Sequence, residues 1–339
     1  MVERLKTPLP ISVFSTTLYS MRLDHSSKIA IAVIGVLLLG AVISYGIKKT
    51  PEAIVFAENL DDPIARELAK DIPYEDVVSR VAPHKALYRL SLTEIHAGSP
   101  INELSGEMFF KWEDTCDAWS TDHRFTIDYY YTDRPSIAVS SHFVSWEDKS
   151  GDRIHFISEG FTDGIQDDMN RGESYRLDDW TGVVDYREPA GLTYELKPNF
   201  FFPAQHTIAT IHNALEGERF FNAVMFDGTD DEGPSEINVF IDQGSLMETS
   251  PEKLAGKKAI DQDLLDNKSW NMRLAFFPIE GIESRSEIPS YEMKVRLHEN
   301  GVVSDITVEY DKFSVHQELV ALSKLPPTEC KNNNTGDVL

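Results

Sequence analysis

His206 and His212 stand six residues apart on a stretch with helical periodicity. Helical zinc ligands stand four apart, as in H-E-x-x-H, because that spacing returns a side chain to the same face. A spacing of six does not, and H-E-x-x-H is missing from the chain. Hydrogen-bonded structural roles are therefore expected for both imidazoles. The run Asp227-Gly-Thr-Asp-Asp-Glu-Gly233 has the acidic density of a calcium loop, but its glycine falls one position late. The twelfth residue from Asp227 is Asn238, where such a loop needs a bidentate Glu. The segment lies between Val224-Met-Phe226 and Ile237-Asn-Val239, where a hairpin turn calls for Gly and Asp anyway. Neither G-x-S-x-G, the sign of a nucleophile elbow, nor a glycine-rich phosphate loop occurs. Carboxylates number 56, too many for any one pair to signal glycoside hydrolysis. The expectation is no catalytic residue, no metal ligand and no cofactor.

The hydrophobic pattern shows what frame holds these residues. From His84 onward the period is two: Ala86, Tyr88, Leu90 and Leu92 share one face of a strand, with Lys85, Arg89 and Ser91 opposite. Phe125, Ile127, Tyr129 and Tyr131 repeat the pattern, as do Ile237, Val239 and Ile241. Tyr291, Met293, Val295 and Leu297 lead through Asn300-Gly301 into Ile306, Val308 and Tyr310. An Asn-Gly between alternating runs predicts a hairpin. One internal helix is expected over about 204–216, beginning after Pro203, with Ile208, Ile211 and Leu215 on one face and Gly217 at its end. A dozen or more strand candidates lie between 84 and 325, without a βαβ rhythm or a fixed repeat. The fold class is thus all-β: one large curved antiparallel sheet that closes or coils to hide its edges. Five tryptophans and Phe200-Phe-Phe202 are many large side chains for one such domain. They either fill its core or line an apolar cavity for a lipid or lipoprotein acyl chain.

Ahead of the sheet, Ile29 to Ile47 is nineteen residues without a charge, flanked by Arg22 and Lys28 on one side and Lys48 and Lys49 on the other. A span needs about 20 apolar residues and a signal-peptide core roughly 7–15. Length favours an anchor, whereas Val55-Phe56-Ala57 offers a cleavage pattern and Met21 an alternative start. Cleaved and tethered forms both stay open, and both send the body out of the cytoplasm. Residues 1–57 are read as export signal or anchor, and 58–82 as a short helical preface. In the preface Asp62-Pro63 starts a helix carrying Ile64, Leu68 and Ala69, and Pro73 breaks it. The β domain covers 83–330, and 331–339 is a polar tail read as disordered. The formal charge of the chain is -24 and its pI about 4.7, which argues against nucleic acid as a partner. Six basic and three acidic residues lie in 1–57, so the exported body carries -27. Contact with the inner membrane is expected only through residues 29–47, if they are retained.

Specific segments then carry a resemblance. His84-Lys-Ala-Leu-Tyr88, Gly106-Glu-Met-Phe-Phe110, Asp114-Thr-Cys116-Asp-Ala-Trp119 and Thr121-Asp-His-Arg-Phe125 resemble the EipB family. This is the alphaproteobacterial cell-envelope integrity family, formerly a domain of unknown function. Phe202-Pro-Ala-Gln-His-Thr207, Phe226-Asp-Gly228, Leu274-Ala-Phe-Phe-Pro278, Pro289-Ser-Tyr-Glu292, Asn300-Gly-Val302 and Cys330 follow in the same order. The resemblance implies a periplasmic β-spiral of about fourteen strands with a role in maintaining the envelope. No catalytic activity is attached to the family, and a disulfide staples an early to a late cysteine. The two cysteines here are Cys116 and Cys330, and export would place both in an oxidising compartment. Free thiols or an intermolecular bridge remain the alternatives to a bond between them.

The function expected is therefore non-enzymatic maintenance of the cell envelope. The alternatives are a periplasmic carrier or chaperone holding a lipid or lipoprotein acyl chain in the curved sheet, and, third, a hydrolase of envelope glycans. Envelope proteins, lipids or lipoproteins are the expected partners.

Overall fold

A computed structural model describes residues 72–242, 259–280, 284–285 and 287–330. The apolar run at 29–47, the expected helix after Asp62 and the tail 331–339 lie outside the described residues. Helix α1 (Tyr74–Arg80) opens with Pro73 at its N-cap. Proline lacks the N–H that a first turn leaves unpaired anyway, so it suits that place.

Eight strands follow: β1 (His84–Ile95), β2 (Ile101–Asp114), β3 (Ala118–Tyr131), β4 (Ile137–Asp148), β5 (Arg153–Thr162), β6 (Ile165–Arg176), β7 (Gly182–Glu188) and β8 (Thr193–Leu196). The two-residue β9 (Phe200–Phe201) leads into helix α2 (Pro203–Glu216). Then come β10 (Phe220–Met225), β11 (Ser235–Ile241), β12 (Ser269–Glu280), β13 (Ser284–Arg285), β14 (Tyr291–His298), β15 (Val303–Glu309) and β16 (Phe313–Lys324). Among the described residues these form one sixteen-stranded sheet. Its order is β8-β7-β6-β5-β4-β3-β2-β1-β16-β15-β14-β12-β11-β10-β9, with β13 paired to β12 off this path. The expected dozen-odd strands are there, in the expected all-β barrel-like arrangement; β9 and β13 are too short to leave a period in the sequence.

The first and last strands pair antiparallel, His84 opposite Lys324 and Ile95 opposite Phe313. Both ends of the path, β8 and β9, are neighbours in the chain that do not hydrogen-bond to each other. The sheet therefore curls nearly round on itself and stops one ladder short. Register shifts at Leu87/Tyr88 and Leu92/Glu94 in β1 and at Arg171/Gly172 in β6 help bend it. Side chains fill the seam. Leu196, Phe200, Phe202, Phe226, Phe156 and Tyr186 form a buried cluster there. Their rings meet edge to face, Phe156 on Tyr186 at 5.2 Å and Phe200 on Phe202 at 5.2 Å, the geometry that opposes a ring's positive edge to its neighbour's negative face.

The main core fills the rest of the interior, and α2 supplies part of it through Ile208, Ile211 and Ala214. Gly217 ends that helix in the left-handed region at φ 85, as its position after the last periodic residue predicted. The backbone N–H of Gly217 donates to Ala214 and that of Glu218 to Asn213, capping carbonyls that would otherwise be bare.

Candidate functional site

Ladder register places the site. His84 of β1 lies opposite Trp112 of β2, and Trp112 lies opposite Thr121 of β3. One step along, Phe110 lies opposite His123, which lies opposite Phe143 of β4. Because side chains alternate faces along a strand, these two rows point into the barrel together. Met272, Leu274, Met293 and Val295, from β12 and β14, close the far wall. Pro203, Ala204, His206, Thr207 and Thr210 of α2 form the cover. The space between is a cavity of about 80 Å³.

Its chemistry is unusual for so apolar a lining. The hydroxyls present are used inside the protein: Tyr88 donates to the Val303 carbonyl, Thr207 to Pro203 and Thr210 to His206, and Thr121 pairs with Ser145. Four nitrogen-bearing rings are not so provided. His84 Nε2, Trp112 Nε1, His123 Nε2 and both nitrogens of His206 find no hydrogen-bond partner among the described residues. All four side chains are buried, His206 completely. Each buried polar atom left without a partner costs about 1–3 kcal/mol, so the set is an expense that core packing does not explain. Burial also pushes the pKa of His84, His123 and His206 down to about 4, which keeps the three rings neutral at neutral pH. His84 Nδ1 lies 2.7 Å from the Ala82 carbonyl, which can only accept. The proton of neutral His84 is therefore on Nδ1, and its Nε2 presents a bare lone pair.

At the mouth of α2, Glu147 of β4 accepts the N–H groups of Ala204 at 2.8 Å and Gln205 at 2.7 Å. This buried carboxyl is the N-terminal cap that Phe202, at the N-cap, cannot supply from its own side chain. Burial pushes its pKa up to about 8, against the pull of those two N–H groups.

Residues 75–326 match the family described as EipB-like. The chain belongs to the EipB-like family. It is 27% identical to the cell envelope integrity protein EipB of Brucella abortus (strain 2308) over 259 residues, 76% of this chain and 88% of that protein. Its fold is similar to the crystal structure of a β-barrel-like protein of a domain of unknown function, DUF1849, from Brucella abortus. That likeness has a TM-score of 0.65 at 25% identity, covering 73% of this chain and 99% of the other.

In this EipB-like barrel the two histidines that stood out in the sequence part company. His212 donates from Nε2 to the Ile72 carbonyl at 2.8 Å, tying α2 to the segment before α1. His206 has no such bond and faces the cavity, so the structural hydrogen bonds expected for it are not made. Asp227 turns inward on itself, its Oδ1 accepting both the N–H and the hydroxyl of Thr229 within the β10–β11 connection. Trp112 joins the cavity and Trp119 and Trp270 the core, while Trp146 and Trp180 are exposed. Among the described residues no three acidic, histidine or cysteine side chains stand together as a metal cluster would. His84 and His123 were not singled out by spacing, since they are far apart in sequence and only the β1-β2-β3 register unites them. The signal available was alternation, which puts His84 on the face of Ala86 and Tyr88, and His123 on that of Phe125 and Ile127.

Cys116, in the β2–β3 turn, and Cys330, beyond β16, are joined as a disulfide with Cα atoms 5.7 Å apart. Leu325 donates its N–H to the Pro83 carbonyl and the Thr328 hydroxyl bonds to Asp114. The last described residues thus run past the start of β1 to reach the turn.

Proposed function

We propose that this chain maintains the cell envelope from outside the inner membrane, and that it works by binding rather than by catalysis. The name of its Brucella abortus relative, cell envelope integrity protein, supports the first half. The apolar run Ile29 to Ile47 supports export, either as a cleaved signal or as a tether. The cavity beneath α2 is the observation that carries binding over catalysis. Its lining contains neither a carboxylate nor a cysteine or serine, and the threonine hydroxyls present are already bonded to other protein groups. Such a surface holds an apolar guest: its neutral histidines can accept a proton, but no free hydroxyl, thiol or carboxylate stands in the lining beside them as a nucleophile.

This favours the second reading, a carrier for a lipid or lipoprotein acyl chain. Volume sets the scale: sites for drug-sized ligands measure roughly 300–1,000 Å³. A cavity of about 80 Å³ takes a chain terminus or a short segment unless α2 shifts. The test is a deletion strain together with a fusion of alkaline phosphatase after Cys330. Active phosphatase and raised sensitivity to bile salts and cell-wall antibiotics, restored by the full chain, are expected. An inactive fusion would remove the location, and unchanged sensitivity across these stresses would remove the role.

A further inference from the structure

The polar atoms of the cavity specify more than an apolar guest, given the reading of the cavity as a ligand site. Trp112 Nε1–H can only donate and His84 Nε2, its sister nitrogen committed to Ala82, can only accept. The two residues are directly opposite each other in the β1–β2 ladder, with ring centroids 6.4 Å apart. One ligand group meeting both must accept and donate together. A hydroxyl does so, and so does a carboxamide that carries N–H. An ester or ketone oxygen accepts without donating, and an ammonium donates without accepting. Carboxylate and phosphate headgroups fail a second way, for no Lys or Arg lines the cavity to offset a buried anion. His206, neutral with both nitrogens unpartnered, adds one further donor and one further acceptor from the α2 side.

We infer that the cavity takes an uncharged ligand, or the end of one, with an apolar body and a single hydroxyl or carboxamide held between Trp112 and His84. Phospholipid headgroups are excluded from that position, and a free fatty acid meets it only as the protonated acid, at the cost of taking up a proton near neutral pH.

Three probes of matched size test this on the exported chain: 1-butanol, butyrate and n-pentane, followed by thermal shift and by ¹⁵N spectra of the histidine rings at pH 7.5. 1-Butanol should bind about tenfold more tightly than n-pentane, the worth of one net hydrogen bond, and butyrate should not bind measurably. The ¹⁵N signal of His84 Nε2 should move with 1-butanol and stay put with n-pentane. Trp112→Phe and His84→Phe should each reduce the alcohol's preference while leaving n-pentane binding in place; the wild-type ¹⁵N measurement stands if either variant fails to fold. Equal binding of 1-butanol and n-pentane, or binding of butyrate as tight as that of 1-butanol, would overturn the inference and leave the cavity as a plain apolar site. Binding of none of the three would overturn the ligand site itself.

Discussion

Gly301 shows how closely single residues shape the cavity. It sits at φ 84, in the region that L side chains avoid, and an added Cβ would lie 2.9 Å from Cζ3 of Trp112. Only glycine meets both conditions, because it lacks the atom that would clash. Gly301→Ala is expected to lower stability by about 2 kcal/mol, from backbone strain and from displacement of the indole. Trp112→Phe withdraws the larger ring and should make the Gly301→Ala loss smaller in the double variant. Urea titrations of the four proteins measure that coupling, and strictly additive losses would show that the indole contact carries none of it.

Among the elements, α2 depends on a partner far away in sequence. Its first turn is capped by Glu147, fifty-seven residues before Ala204. Removing that carboxyl strands two buried N–H groups, so Glu147→Ala should cost about 1–3 kcal/mol at neutral pH. Glu147→Gln separates cap from charge. The folded-state pKa is about 8 against an ordinary 4.5, so the folded protein binds the extra proton throughout that interval. Stability from this group is therefore full below about pH 4.5 and is lost as pH rises through about 8. The Gln variant lacks the titration and should follow a flatter stability curve over the same interval. A parallel offset from wild type at every pH would show that Glu147 does not titrate there.

Across the whole molecule the buried groups oppose one another. His84, His123, His206 and His298 are pushed down to about 4 by burial, so they bind fewer protons folded than unfolded. Their contribution is complete above about pH 6.5 and is lost as pH falls toward 4. Asp227, pushed up to about 7 by burial, loses stability in the other direction, as Glu147 does. Stability should peak between about pH 6 and 7 and fall on both sides, in denaturation measured from pH 4 to 8.5. A monotonic curve would contradict this balance. The disulfide acts at the same scale. It spans 214 residues and fastens the C-terminal segment to the β2–β3 turn, beside the pairing of first and last strands. Chain-entropy arguments put such a loop at up to about 5 kcal/mol, less any native strain. Cys116→Ser or Cys330→Ser should lower Tm and open the segment after Leu325 to protease. Unchanged proteolysis would mean that β1–β16 pairing alone holds the ends.

Alternation of apolar residues along β1, β3, β11 and β14 was enough to read strands and their inward faces, since period two is a property of neighbours in the chain. Pro203 and Gly217 marked α2 for the same reason: capping and breaking are local chemistry. Family membership was legible in short segments kept in order from His84 to Cys330. The closing of the sheet through β1 and β16, with an unpaired seam at β8 and β9, was not, because pairing partners are chosen by packing across the whole chain. Nor was the cavity. His84, Trp112, His123 and His206 come from three strands and a helix, and each alone reads as an ordinary core residue. Only tertiary register sets them around one space, where burial strips their nitrogens of partners and turns four unremarkable side chains into a site.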